Sequence, residues 1–141
     1  MFNKKKEVVF LGGTCNGSTW REKLIPMLEK EDIKFFNPVV EDWTEEAQQL
    51  EEKVKKDGAL ELYVITPEMT GVFSIAEAVN ASHLKKGKVI FCMLDETNPA
   101  ASNYFNKHQI KSLKAVGKML QDNGSYFCED LGEVLEILKH Y

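Results

Sequence analysis

The chain reads as a doubly wound α/β domain, a five-stranded parallel sheet with helices on both faces and strand order 2-1-3-4-5. Three observations predict it. Apolar runs of strand length alternate with helical-period segments from end to end. Those runs are continuous and not alternating, as in strands covered on both faces, so all five are expected to be fully buried. Regular strand–helix alternation then implies right-handed crossovers and two helical layers.

The elements follow in order. Val8-Val9-Phe10-Leu11 is the first strand, stopped by Gly12-Gly13. Ser18 or Thr19 caps a helix through Leu24 and Leu28 to about Lys30. Phe35-Phe36 is the second strand, closed by Asn37-Pro38. Thr44 caps the next helix, whose first turn carries Glu45 and Glu46 where the helix dipole favours acids; it ends at Lys56, before Asp57-Gly58. Leu60 to Ile65 is the third strand and Phe73 to about Leu84 the third helix. Val89 to Leu94 follows as a strand, then a helix from about Asn103 to Gln121, broken by Asn123-Gly124. Tyr126-Phe127 is the fifth strand and Leu131 to Leu138 the last helix.

Residues 1–141 are expected to form a single domain, long enough to bury a core without metal or disulfide staples. A formal charge of −4 gives no reason to expect a nucleic acid polymer as partner. The stripe of Lys107, Lys111, Lys114 and Lys118 reads as the solvated face of an amphipathic helix. Cys15, Cys92 and Cys128 are odd in number with no close pair, which suits reduced thiols in a cytoplasmic protein. No signal peptide or membrane-spanning segment is expected. His83, His108 and His140 share no metal spacing, so no metal and no cofactor is expected.

Two glycine-bearing loops meet where the strand order reverses, the place where open α/β sheets bind ligands. The first, Gly12-Gly13-Thr14-Cys15-Asn16-Gly17-Ser18-Thr19-Trp20-Arg21, matches neither a P-loop nor a clean dinucleotide motif. Its backbone N–H groups, small hydroxyls and helix N-terminus suit a phosphate or sugar oxygen, with Arg21 able to add a bidentate contact. It reads equally as a tight turn with Arg21 solvated. Cys15 reads either as a stabilised thiolate or as a small apolar filler. The second loop runs Thr66-Pro67-Glu68-Met69-Thr70-Gly71, and Glu77 follows about a turn into its helix. On a helical wheel Ile75, Ala78 and Val79 share one face and Phe73, Glu77 and Asn80 the other. Glu77 then faces either bulk water or the crevice.

The stretches Phe10-Leu11-Gly12-Gly13-Thr14 with Trp20-Arg21, Asn37-Pro38-Val39-Val40-Glu41-Asp42-Trp43, and Tyr63-Val64-Ile65-Thr66-Pro67 with Gly71 and Ser74-Ile75-Ala76-Glu77-Ala78 resemble the nucleoside 2-deoxyribosyltransferase-like family. The likeness extends to Leu113-Lys114-Ala115-Val116-Gly117. It implies a flavodoxin-like three-layer αβα sandwich and a nucleophilic glutamate in the helix after the third strand. That glutamate falls on Glu77, the upstream glycine of its motif on Gly71 and the trailing alanine on Ala81. The glycine two places after the glutamate is Val79 here. The family's orienting tyrosine near the first strand has no counterpart, Phe10 lying nearby without a hydroxyl.

What the resemblance implies is cleavage or transfer at the N-glycosidic bond of a deoxynucleoside or its 5′-monophosphate, through Glu77 and a glycosyl-enzyme intermediate. Asp42 is the second catalytic candidate, as an acid or base-recognition partner, and reads equally as a helix-start residue. Gly12, Gly13, Thr14, Asn16, Ser18, Trp20, Arg21, Asn37, Trp43, Glu68, Thr70 and Gly71 are the substrate-binding candidates. Among them, Trp20 and Trp43 could stack on a base or simply pack. A homodimer or larger assembly is implied by the resemblance. The alternatives are a non-catalytic nucleotide-binding or sensor module, and a glycohydrolase of NAD or a nucleotide signal.

Overall fold

The computed structural model describes residues 7–15, 17–39, 44–95 and 103–141. Along the chain come β1 (Val9–Gly13), α1 (Trp20–Lys30), β2 (Phe35–Phe36), α2 (Glu45–Lys56), β3 (Leu60–Ile65), α3 (Phe73–Leu84), β4 (Val89–Met93), α4 (Lys107–Asp122), β5 (Tyr126–Cys128) and α5 (Leu131–Lys139). All neighbouring strands pair parallel, in the expected order β2-β1-β3-β4-β5.

Successive strand residues point to opposite faces and so build two cores. Val9 and Leu11 of β1 and Leu60, Leu62 and Val64 of β3 meet Leu24 and Leu28 of α1 and Val134 and Leu138 of α5. Phe10, Tyr63 and Ile65 point the other way, onto Ala78 and Ala81 of α3 and Leu113 and Leu120 of α4. Val54 of α2 leans on this second core from its edge. Two helical layers thus enclose a parallel sheet, a flavodoxin-like fold.

Two expectations change. The central strands are buried, but β2 and the start of β5 are not: Phe35, Phe36 and Phe127 are half-buried and Tyr126 is exposed. Both are edge strands with one neighbour each, so cover from a second strand is missing on the outer side. The long helix also starts at Lys107 and not near Asn103. Asn106 accepts from the Gln109 N–H at 2.8 Å while the Gln109 side chain accepts from the Asn106 N–H at 2.8 Å, a capping box that sets the start.

The helices nearest the reversal of strand order differ in how they are held. Thr44 caps α2, accepting from the Ala47 N–H at 3.1 Å, yet no residue of α2 is buried. The α3 helix buries Ala78, Ala81 and Ser82, while Phe73 and Leu84 at its ends are each 75% exposed.

Candidate functional site

β1 ends in a turn whose carbonyls need donors, and α1 provides them. Gly13 has φ +118, and a Cβ there would overlap the Val64 carbonyl, so only glycine lets the chain turn this close to β3. The Thr14 N–H donates to Val64 O at 2.9 Å, and Thr14 Oγ1 accepts from the Thr66 N–H at 3.0 Å, which ties the two loops together. Trp20 Nε1 donates to Thr14 O at 2.9 Å. The Arg21 guanidinium donates to Leu11 O from Nη2 at 2.9 Å and Nε at 3.2 Å, and to Thr14 O from Nη1 at 2.8 Å. It also lies 4.3 Å from the centre of the Trp20 ring. Burial lowers the Arg21 pKa from its ordinary value, and the neighbouring Cys15 side chain opposes that shift.

Above this turn lies a crevice of about 260 Å³ at the strand ends, lined by Gly13, Thr14, Cys15, Thr70, Gly71 and Phe73 among others. A larger groove of about 490 Å³ runs beside it between α2 and α3, over β3. Lys55, Tyr63, Phe73, Glu77, Asn80 and Leu84 are among its walls. The two hollows share Phe73. A third hollow of about 170 Å³, lined by Val9, Ile33, Leu60 and Leu138 among others, holds none of the candidate residues.

Glu77 projects into the larger groove, where Lys55 Nζ donates to its Oε2 at 2.6 Å. Both side chains are mostly buried, 23% and 21% exposed. The same ammonium lies 3.5 Å from Glu51 Oε1 and 4.5 Å from the centre of the Phe10 ring. Deeper in the groove, Lys85 Nζ pairs with Glu61 Oε2 at 2.8 Å, and Tyr63 Oη donates to Glu61 Oε1 at 2.5 Å. Burial pulls the Lys55 pKa down, but Glu77, then Glu51 and Glu61, outweigh it and hold the lysine above its ordinary value. Burial raises the Glu51 pKa, against the pull of Lys55. Tyr63 is raised by burial and then by Glu61, so its phenol stays protonated and donating.

Glu77 thus presents a carboxylate in a groove beside the strand-end crevice. A sequence profile described as nucleoside 2-deoxyribosyltransferase like matches residues 6–97, more than half of the chain. The chain belongs to that family. Comparison with curated proteins and with solved structures gives no match. Membership in the deoxyribosyltransferase-like family points to nucleoside deoxyribosyltransferase-like chemistry on a small-molecule nucleoside. The matched span contains both loops and Glu77 and stops before α4, so the likeness expected at Leu113 to Gly117 lies outside it.

Of the residues expected to bind substrate, Gly13, Thr14, Thr70 and Gly71 gather at the crevice, next to the groove that holds Glu77. Trp20 and Arg21 are placed differently from the crevice residues. They are 1% and 7% exposed and lie under the turn, where the indole N–H and the guanidinium donate to its carbonyls. Gly12 is also beneath the surface, where a Cβ would come 2.7 Å from the Tyr63 ring. Ser18, Asn37 and Glu68 line neither hollow, Asn37 Oδ1 accepting from the Val39 N–H at 3.1 Å. Asn16, Asp42 and Trp43 lie outside the described residues.

Sequence reasoning missed Lys55 and Tyr63 as groove residues and gave Phe73 and Asn80 no role. The helical wheel held the signal for the latter two, since it placed them on the Glu77 face. Among the described residues, no helix is long and apolar enough to cross a membrane.

Proposed function

We propose that this chain cleaves or transfers the N-glycosidic bond of a deoxynucleoside or its 5′-monophosphate, with Glu77 as nucleophile. The observation that carries the reading is the Glu77 carboxylate, paired to an ammonium at 2.6 Å in a groove that shares Phe73 with the glycine-lined crevice. A sugar in the groove brings C1′ to the carboxylate, and the exposed Phe73 ring offers a face to the base. Gly71 has nothing within 4 Å of where a Cβ would stand, so the crevice is open above its backbone.

In the first step a Glu77 oxygen bonds to C1′ as the C1′–N bond breaks, its electron pair leaving with the base. The base takes up a proton, for which Asp42 is the proposed donor. An oxocarbenium-like transition state gains from the fixed negative charge beneath it. Water or a second base then attacks C1′, the glutamyl ester bond breaks and Glu77 is regenerated. The proton that the attacking group loses restores Asp42. With Arg21 committed to the turn, contact with a 5′-phosphate falls to the backbone N–H groups of the first loop.

The test is incubation with deoxynucleosides and their monophosphates, with and without acceptor base, following free base and exchanged product. Base release by wild type that is lost in Glu77→Gln supports the reading. Equal release by the two proteins would sink it. The Lys55–Glu77 pair also favours a second reading, a nucleotide-binding module in which the lysine neutralises the carboxylate. Thermal stabilisation by a nucleotide without any turnover would select it. Assembly as a homodimer or larger is proposed from the family likeness, and light scattering on the eluted protein checks it.

A further inference from the structure

We propose that Lys55 is the positioning residue of Glu77, holding Oε2 so that Oε1 is the oxygen presented to C1′. The assignment rests on the glycosyl-transfer reading above. A carboxylate on a flexible side chain has to be turned toward the sugar before it can attack. Lys55 holds it from one position. Its ammonium is an obligate donor with three protons, one of which meets Oε2 at 2.6 Å.

The ammonium is itself fixed. The Phe10 ring lies at 4.5 Å and Glu51 Oε1 at 3.5 Å, so ring and carboxylates hold it in place. Its backbone is fixed too: Lys55 O accepts from Lys85 Nζ at 2.6 Å. Lys85 is in turn bound to Ala59 O at 3.0 Å and to Glu61. A helix with no buried residue would otherwise leave the end of α2 loosely placed. The chain thus anchors that end to β3 and directs one lysine across the groove to α3.

The charged and titratable groups facing this carboxylate are Glu51 and Lys55 from α2, Glu61 and Tyr63 from β3 and Lys85 after α3. Lys56 of α2 also lines the groove. Of these, among the described residues, it is Lys55 that touches Glu77, Nζ to Oε2 at 2.6 Å. When the ester to C1′ forms, the negative charge on Glu77 disappears, and Lys55 keeps its contact with Glu51. The lysine therefore stabilises the nucleophile before attack and the departing carboxylate after it, without exchanging a proton.

The experiment compares wild type, Glu77→Gln, Lys55→Met and Lys55→Arg on a deoxynucleoside that wild type turns over. Thermal melts confirm that each protein is folded. Lys55→Met is expected to lower kcat roughly 10- to 100-fold, with KM within about twofold of wild type, because positioning acts in the transition state. Lys55→Arg keeps the charge and the donor and is expected to restore part of kcat. A merely structural role for Lys55 would change the melting temperature and leave kcat and KM of the folded variant as in wild type. Should Glu77→Gln be inactive while Lys55→Met keeps wild-type kcat, the Lys55 assignment is overturned and the glutamate reading stands. If Lys55→Met does not fold, Lys55→Arg decides: a folded Lys55→Arg as inactive as Glu77→Gln overturns the assignment. Base release by Glu77→Gln equal to wild type overturns both.

Discussion

The turn after β1 and the first turns of α3 each bring an ionisable side chain to the region where the strand order reverses, and they treat it in opposite ways. Arg21 folds beneath its own loop and donates to Leu11 O and Thr14 O, whereas Glu77 points out into a groove and meets a partner from another helix. The difference follows from what surrounds each. The glycine turn leaves carbonyls that must find donors, and a guanidinium with five N–H groups is the nearest supply. The α3 helix satisfies its own backbone, so its outward side chains are available for a ligand. A glycine-rich loop can thus look like the chemical centre in sequence while its polar side chains serve the turn.

Four substitutions break or sharpen that contrast, in decreasing order of expected effect. Arg21→Ala strips donors from the carbonyls of Leu11, Thr14 and Gly13, the last at 3.4 Å, in a buried place and is expected to cost about 3 kcal/mol of stability, read by denaturant unfolding. If Arg21 instead served a ligand, the variant would unfold as wild type does and only affinity would fall. Phe73→Ala removes an exposed ring, and KM is expected to rise about tenfold, the equivalent of about 1.4 kcal/mol of base stacking, with unfolding unchanged. Gly71→Ala meets open space and is expected within about 0.5 kcal/mol of wild-type stability. A raised KM in that variant would show that a ligand passes over this backbone.

The fourth is the pH dependence of Lys55→Met. The lysine pKa is raised on folding above its ordinary 10.5, so folding favours the protonated form. Its contribution is complete below that ordinary value and is lost as pH climbs through the raised folded value. Lys55→Met should therefore show a shallower loss of stability between neutral and strongly alkaline pH than wild type. Parallel curves for the two proteins would mean that the ion pair with Glu77 does not couple to folding.

The sheet was legible in the sequence because continuous apolar runs such as Val89 to Leu94 admit one reading in an alternating chain. Its edges were not, since whether Phe35 and Tyr126 are covered depends on neighbours that periodicity does not encode. The α3 face carrying Phe73, Glu77 and Asn80 was legible from a helical wheel, and the structure places all three on the groove. Lys55 was not, because it meets Glu77 across 22 positions of sequence, with no local spacing to announce the pair. For Arg21 the signal existed: a Gly12-Gly13 turn exposes carbonyls, and the nearest cation downstream is the natural donor.

Covalent capture addresses the central claim, that Glu77 is the nucleophile of a glycosyl site, most directly. Intact-mass analysis follows incubation with a 2-fluoro-2-deoxynucleoside, whose electron-withdrawing fluorine slows release of the sugar. The account predicts a single sugar adduct on wild type, located by peptide mapping to Glu77 and absent from Glu77→Gln. An adduct on another residue, or base release with none on Glu77, would contradict it.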